Sequence, residues 1–263
     1  MTLTPQIELF GIAFRHLSFL WPLRKTQEDP KKLGEASLYF PLVGTFFGSG
    51  LILIYILISV ISKGNSSCLI VLAVMIIVFT GRQYQNCFKF VGILGHQDET
   101  ENQKIENFNL ALDIARVLLV FGLFMLKFLA LTHLGKGWLF GMLIIVPTVS
   151  CWSKVYLCHS LSNGLPDSSE FSYMCFVRDR EFWGATWFTT VIVGVFMELE
   201  GLFLLVFLSL WTAGFERWII SKQPEIFGPV VGLAMELNEV LLLLSLIVMR
   251  KGFAFSTLEG VWL

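Results

Sequence analysis

The chain has 263 residues, of which 55% are hydrophobic and 15% charged; 19 Lys plus Arg nearly balance 20 Asp plus Glu, for a net charge of −1. Soluble domains carry about 25% charge, and a mean hydropathy of +0.71 leaves too little polar surface to cover a water-exposed fold. This excludes a disordered chain, a disulfide scaffold and a nucleic-acid binder. Residues 1–263 read as a single all-α integral membrane domain, a polytopic transmembrane helical bundle with an N-terminal interfacial helix.

Residues 1–21 form the interfacial element. Glu8, Gly11, Arg15 and Ser18 line one helical stripe, and Ile7, Phe10, Phe14, Leu17 and Trp21 cover the rest, a pattern suited to lying in the interface rather than crossing it. No signal peptide is expected, because Glu8 and Arg15 interrupt the apolar stretch. Charge-poor windows then predict spans at 36–62 and 65–81, with Gly64-Asn65-Ser66-Ser67 as the turn between them. A polar segment, 82–116, follows; its second half, from Asn107, reads as helical. Spans at 116–135 (holding Lys127) and 137–159 come next, then a second polar segment, 154–181, since Lys154 can snorkel from a helix end. Two shorter spans, 182–198 and 200–215, hinge at Glu198-Leu199-Glu200, and 226–249 closes the series. With the N-terminus in the cytoplasm, most Lys and Arg fall in cytoplasmic loops, and both polar segments face that side.

Intramembrane ionisable groups are the first candidates for chemistry, because each is costly in hydrocarbon. Glu236 and Glu239 stand three apart on one helix face. Gly228 and Gly232 precede them on the same side, and small residues at that spacing allow close helix contact. These four residues are the candidate substrate-binding face. Lys127 is either an ion-pair partner for one of the glutamates or a snorkelling lysine. His96 and the Asp98-Glu99-Thr100-Glu101 cluster read as hydrated loop groups, and His133 as interfacial. Cys68, Cys87, Cys151, Cys158 and Cys175 show no metal spacing and read as buried small hydrophobes.

Three anchors, in order along the chain, carry a family resemblance. They are Phe40-Pro41-Leu42-Val43-Gly44-x-x-x-Gly48, Thr80-Gly81, and Gly228-x-x-x-Gly232-x-x-x-Glu236-x-x-Glu239. With these the chain resembles the cobalamin synthase family, adenosylcobinamide-GDP ribazoletransferases of the bacterial inner membrane. The resemblance implies a multi-pass protein that joins α-ribazole, or its phosphate, to adenosylcobinamide-GDP with release of GMP and the help of Mg²⁺. It also implies an aspartate-rich motif after Gly81, of the form His-Leu-Asp-Gly-Leu-Ala-Asp-Thr-x-Asp-Gly. Here the ungapped counterparts of the three aspartates are Asn86, Phe90 and Ile93, and that of the histidine is Tyr84. Pro229 stands where the family's closing motif has a further aspartate, and Cys151 where an arginine is expected.

The expected role is therefore a catalytically degenerate relative in cobalamin lower-ligand assembly, acting as a partner or scaffold beside an intact paralogue. No metal ligand and no cofactor is assigned to this chain. The expected contacts are membrane lipid and a corrinoid, with no nucleic acid. Two alternatives stand beside it: an active ribazoletransferase with relocated ligands at Asp98, Glu99 or Asp113, and an unrelated small membrane transporter. The absence of an internal repeat weighs against the transporter.

Overall fold

A computed structural model describes residues 3–18, 29–61, 65–75, 86–91, 105–134, 136–162, 172–220 and 227–259. Among these every regular element is helical. The order is α1 (Leu3–Leu17), α2 (Pro30–Ala36), a 3-10 turn (Ser37–Tyr39), α3 (Phe40–Ile61), α4 (Asn65–Met75) and α5 (86–91). It continues with α6 (Ile105–His133), α7 (Lys136–Leu161), a 3-10 turn (Ser172–Phe176), α8 (Asp179–Ile220) and α9 (Phe227–Glu259). Several helices outrun the windows read from charge. α6 begins inside the segment taken as a polar loop, and α7 continues past Lys154 to Leu161. α9 runs beyond the basic pair Arg250-Lys251. Charge marks where a helix leaves hydrocarbon, whereas a helix continues for as long as its backbone is hydrogen-bonded.

Among the described residues, five helical stretches are long and apolar enough to cross a membrane: Pro30–Ile61, Asp113–His133, Trp138–Leu161, Asp179–Trp218 and Pro229–Met249. The protein is a multi-pass membrane protein by that composition. Leu53, Leu57, Val60, Ile61, Val117, Leu118, Val195, Phe203 and Leu210 are all well exposed on their helices. Such a surface is stable facing lipid and not facing water. α7 and α9 are the mostly buried helices, and α3, α6 and α8 pack around them. The reason lies in their side chains. α7 buries Thr148, Ser150 and Ser153, and α9 buries Glu236, Asn238 and Glu239, groups that a lipid-facing helix would leave unsatisfied.

Among the described helices, α3 and α7 approach backbone to backbone. Pro147 has no N–H to donate, so the carbonyl of Leu143 one turn earlier loses its helical partner. Gly48 lies against that carbonyl: a Cβ there would collide with Leu143 O and stand 2.6 Å from Ile144 Cα. Gly44 does the same one turn away, where a Cβ would sit 2.5 Å from Pro147 O. Close Cα–H···O approach is what small residues on facing helices permit. Thr45 and Thr148 then share a hydroxyl–hydroxyl hydrogen bond of 2.9 Å across the seam.

α8 is not one straight rod. Glu198 has φ 51° and ψ −135°, a non-helical conformation inside the element. A Cβ on Gly201 would lie 2.6 Å from Val193 Cγ1 and 3.0 Å from Val193 O. In a straight helix residues eight apart are separated by about 12 Å along the axis, so the chain folds back at Glu198. Trp152 Nε1 of α7 donates to Thr186 in the first arm (3.0 Å), and Asn238 Nδ2 of α9 donates to Thr212 in the second (3.2 Å).

α1 is docked on the bundle. Its buried face is Ile12, Ala13 and Leu17, while Glu8 and Arg15 stay exposed; Ser18, placed on the polar stripe by its spacing, is buried. Phe14 stacks on Phe47 at 5.1 Å and His16 on Phe40 at 5.7 Å. Lys154 Nζ donates to His16 Nε2 at 2.8 Å while lying over the Phe40 ring. Lys154 therefore ties α1 to α7 instead of reaching for the interface alone. The core forms two main clusters. One gathers α1, α2, α5, the end of α7 and Val230–Ala234 of α9; the other gathers α4, α7, α8 and Leu242–Leu246 of α9. Residues 236–239 lie between them.

Candidate functional site

At that seam α6 meets α9. Lys127, on α6 between Leu123 and Ala130, is 1% exposed, and Glu236 and Glu239 on α9 are 0% and 1% exposed. Lys127 Nζ donates to Glu236 Oε2 and to Glu239 Oε2, each at 2.5 Å. The i, i+3 spacing puts both carboxylates on one side of α9, where a single ammonium reaches both. Lys127 thus pairs with both glutamates, and the snorkelling alternative is set aside.

Glycine at 232 shapes the adjoining surface. A Cβ there would lie 2.6 Å from Asn86 Cβ and 2.9 Å from Asn86 Nδ2, so α5 rests directly on the α9 backbone one turn before Glu236. Cys87 lies within electrostatic reach of Glu236 and Lys127, and Cys151 of α7 within reach of Glu239. Sequence reasoning named Gly232, Glu236 and Glu239, and the structure brings these three together. Gly228 lies on the first turn of α9, and its surroundings fall outside the described residues. Asn86, Cys87 and Cys151 were not named as site residues. The only signal for them was that they stand at or beside positions where the resemblance places charged groups.

The other positions separate. Phe90, which the resemblance would set opposite a family aspartate, is buried in the apolar core with its ring 6.4 Å from that of Trp218. Tyr84, Ile93, His96, Asp98 and Glu99 lie outside the described residues. Asp113, considered as a relocated ligand, is exposed on α6 and paired with Arg116 at 2.6 Å. His133 is exposed at the end of α6, its Nδ1 2.7 Å from Leu129 O. His159 faces Asp179 at 2.9 Å and stacks on Phe182. All five cysteines are unpaired as disulfides, and four are buried.

The divalent metal that the resemblance implies does not fit the residues gathered here. The ammonium of Lys127 already stands between the two carboxylates. Asn86 contributes a neutral amide and Phe90 no ligand atom. Among the described residues no group of three or more His, Cys, Asp or Glu side chains is arranged to hold a metal ion. What the arrangement can do is hold charge and hydrogen-bond donors at fixed positions within the bundle.

The chain matches the family model described as cobalamin-5-phosphate synthase (CobS) over residues 9–83 and 114–247. The match passes through α1 to α4 and from α6 through the glutamates of α9, and leaves 84–113 between its two parts. No curated protein matches the chain. No solved structure matches it either.

Proposed function

The chain belongs to the cobalamin-5-phosphate synthase family, and on that premise we propose that it serves cobalamin lower-ligand assembly as a partner or scaffold without catalysing the transfer itself. Family membership removes the alternative of an unrelated transporter. The observation that carries the reading is the occupancy of the α9 face. The segment that follows Gly81 reaches this face through Asn86, which packs on Gly232, and its next aspartate counterpart is the buried phenyl ring of Phe90. Phosphoryl transfer of the family type works by metal-held phosphates and in-line positioning, with little covalent help from protein. A face carrying an amide, a phenyl ring and two carboxylates that share the single ammonium of Lys127 lacks that machinery. Gly228, Gly232, Glu236 and Glu239 are then the surface toward a corrinoid, in a complex with an intact relative.

The proposed topology has seven crossings in a bacterial inner membrane, with a cytoplasmic N-terminus and cytoplasmic 82–116 and 154–181 segments. The fold-back at Glu198 divides α8 into two arms, which makes six crossings of the five long apolar stretches; the seventh is the span expected at 65–81, which runs beyond the described α4. Each arm of α8 spans about 30 Å at 1.5 Å per residue, the thickness of the hydrocarbon core.

The test is an assay of the purified protein with adenosylcobinamide-GDP, α-ribazole and Mg²⁺. The expected result is no corrinoid product above a heat-killed control, together with co-purification of an intact family member from the native host. Product formation abolished by Asp98→Ala or Asp113→Ala would overturn the reading in favour of a relocated site.

A further inference from the structure

We infer that a cavity between α3, α4 and α7 is a binding site for one acyl chain of a bilayer lipid, entered sideways from the middle of the membrane. The hollow begins with a missing side chain. Gly50 stands halfway along the 22 residues of α3, and a Cβ there would meet nothing within 4 Å. The space left is about 140 Å³, comparable with apolar cavities of about 150 Å³ that stay dry and take up benzene or xenon. Among the described residues its wall is wholly apolar. Phe46, Gly50 and Ile54 of α3 are exposed or half-buried and form the mouth, and Leu51, Met75 and Pro147 are buried and form the back.

The position of the mouth identifies the occupant. Phe46, Gly50, Leu53 and Leu57 follow one stripe of α3, and Phe46, Leu53 and Leu57 are well exposed along it. α3 belongs to a stretch long and apolar enough to cross a membrane, so its midpoint lies at the depth where chain ends meet. The cavity is therefore continuous with the lipid-facing surface, and hydrocarbon rather than water stands at its mouth. A polar guest would find no hydrogen-bond partner among the side chains of this wall. An unfilled recess forfeits the dispersion contacts of its lining, and a flexible, unbranched chain end entering from the bilayer restores them. Met75 and Pro147 also border a small hollow beside the Lys127 stem. The inserted chain thus ends against the wall that separates the bilayer from the buried ion pair.

The probe is a phosphatidylcholine with a diazirine at the terminal carbon of one chain, mixed sparsely into phosphatidylethanolamine–phosphatidylglycerol vesicles that hold the full chain. Illumination marks whatever the chain end touches, and peptide mass spectrometry locates the adducts. In wild type, adducts are expected on the exposed Leu53 and also on Leu51 and Met75, which are only 5% and 4% exposed. Gly50→Leu puts a side chain into the cavity and is expected to lose the adducts on Leu51 and Met75 while keeping that on Leu53. Adducts confined to Leu53 in wild type would overturn the inference, and so would an adduct on Met75 that Gly50→Leu leaves unchanged. Loss of the Leu53 adduct from wild type as well would mean that a protein surface, such as a second copy of the chain, covers this face. Marking of Met75 by the small aromatic probe phenyl(trifluoromethyl)diazirine, and not by the lipid, would assign the cavity to a ring-shaped guest. Either of these results overturns the inference too. If Gly50→Leu yields no folded protein, wild type alone decides: adducts on Leu51 and Met75 support the site, and their absence refutes it.

Discussion

Replacing Gly48 by alanine adds one methyl group to α3 at the point where it meets α7. That methyl would stand 2.6 Å from Ile144 Cα and closer still to Leu143 O. Both are backbone atoms of a buried helix, so no rotamer change can make room. Restoring an ordinary carbon–carbon separation of about 3.5–4 Å requires the helices to part by about 1 Å, and a gap of that size forfeits a quarter to a half of each contact's attraction. Overpacking of a dense interface costs about 1–3 kcal/mol. Alanine recovers about 0.5–1 kcal/mol over glycine in a helix interior, leaving a net loss of about 1–2 kcal/mol. Gly50, two residues on, is the internal control, because a Cβ there meets nothing within 4 Å; Gly50→Ala keeps the helical gain with no clash. Unfolding of both variants in one mixed-micelle denaturant series should separate them by about 2 kcal/mol. Gly44→Ala combined with Gly48→Ala should cost less than the sum of the two, since one displacement relieves both clashes. Equal stability of Gly48→Ala and Gly50→Ala would refute the proposed α3–α7 contact.

Lys127→Leu strands two buried carboxylates and should cost about 3–5 kcal/mol, whereas replacing Lys127, Glu236 and Glu239 all by leucine should recover most of it; an unstable triple variant in the same unfolding series would contradict this. Glu198→Gly should stabilise the protein by about 1 kcal/mol, because a side chain at φ 51° is strained and glycine is not; a loss of stability would mean that the residue is helical in the membrane. Glu8 is held below its ordinary carboxylate range, first by its hydrogen bond to Lys32 and then by the charge of that lysine. The contact between α1 and α2 is thus fully present above the usual glutamate pKa and lost as pH falls through the lowered one. Carboxyl-carbon NMR should place the Glu8 titration higher in Lys32→Met, and an unchanged midpoint would refute the pair.

Composition determined the class of this protein. A chain with 55% hydrophobic residues and few charges can satisfy its backbone in lipid only by closing hydrogen bonds within each segment, so the helices and their apolar cores were legible in the sequence. The hinge at Glu198 was legible too, because two charged residues flanking Leu199 interrupt an otherwise apolar run. Glu236 and Glu239 stood out because an ionised group inside a span needs a reason. The identity of their partner was not legible. Lys127 is more than a hundred residues away in sequence, and whether it snorkels or pairs depends on which face of α6 meets α9. Local periodicity does not set that rotation, which follows from how all the helices pack. The same holds for Asn86: its place in the chain did not say what it would touch, and only packing brings it onto Gly232. The helices also extend past several of the windows read from charge. Charge shows where hydrocarbon stops, while the backbone of α7 and α9 continues as helix beyond it. Local chemistry decided that these segments are helices, and contacts between helices distant in sequence decided which of their polar groups meet.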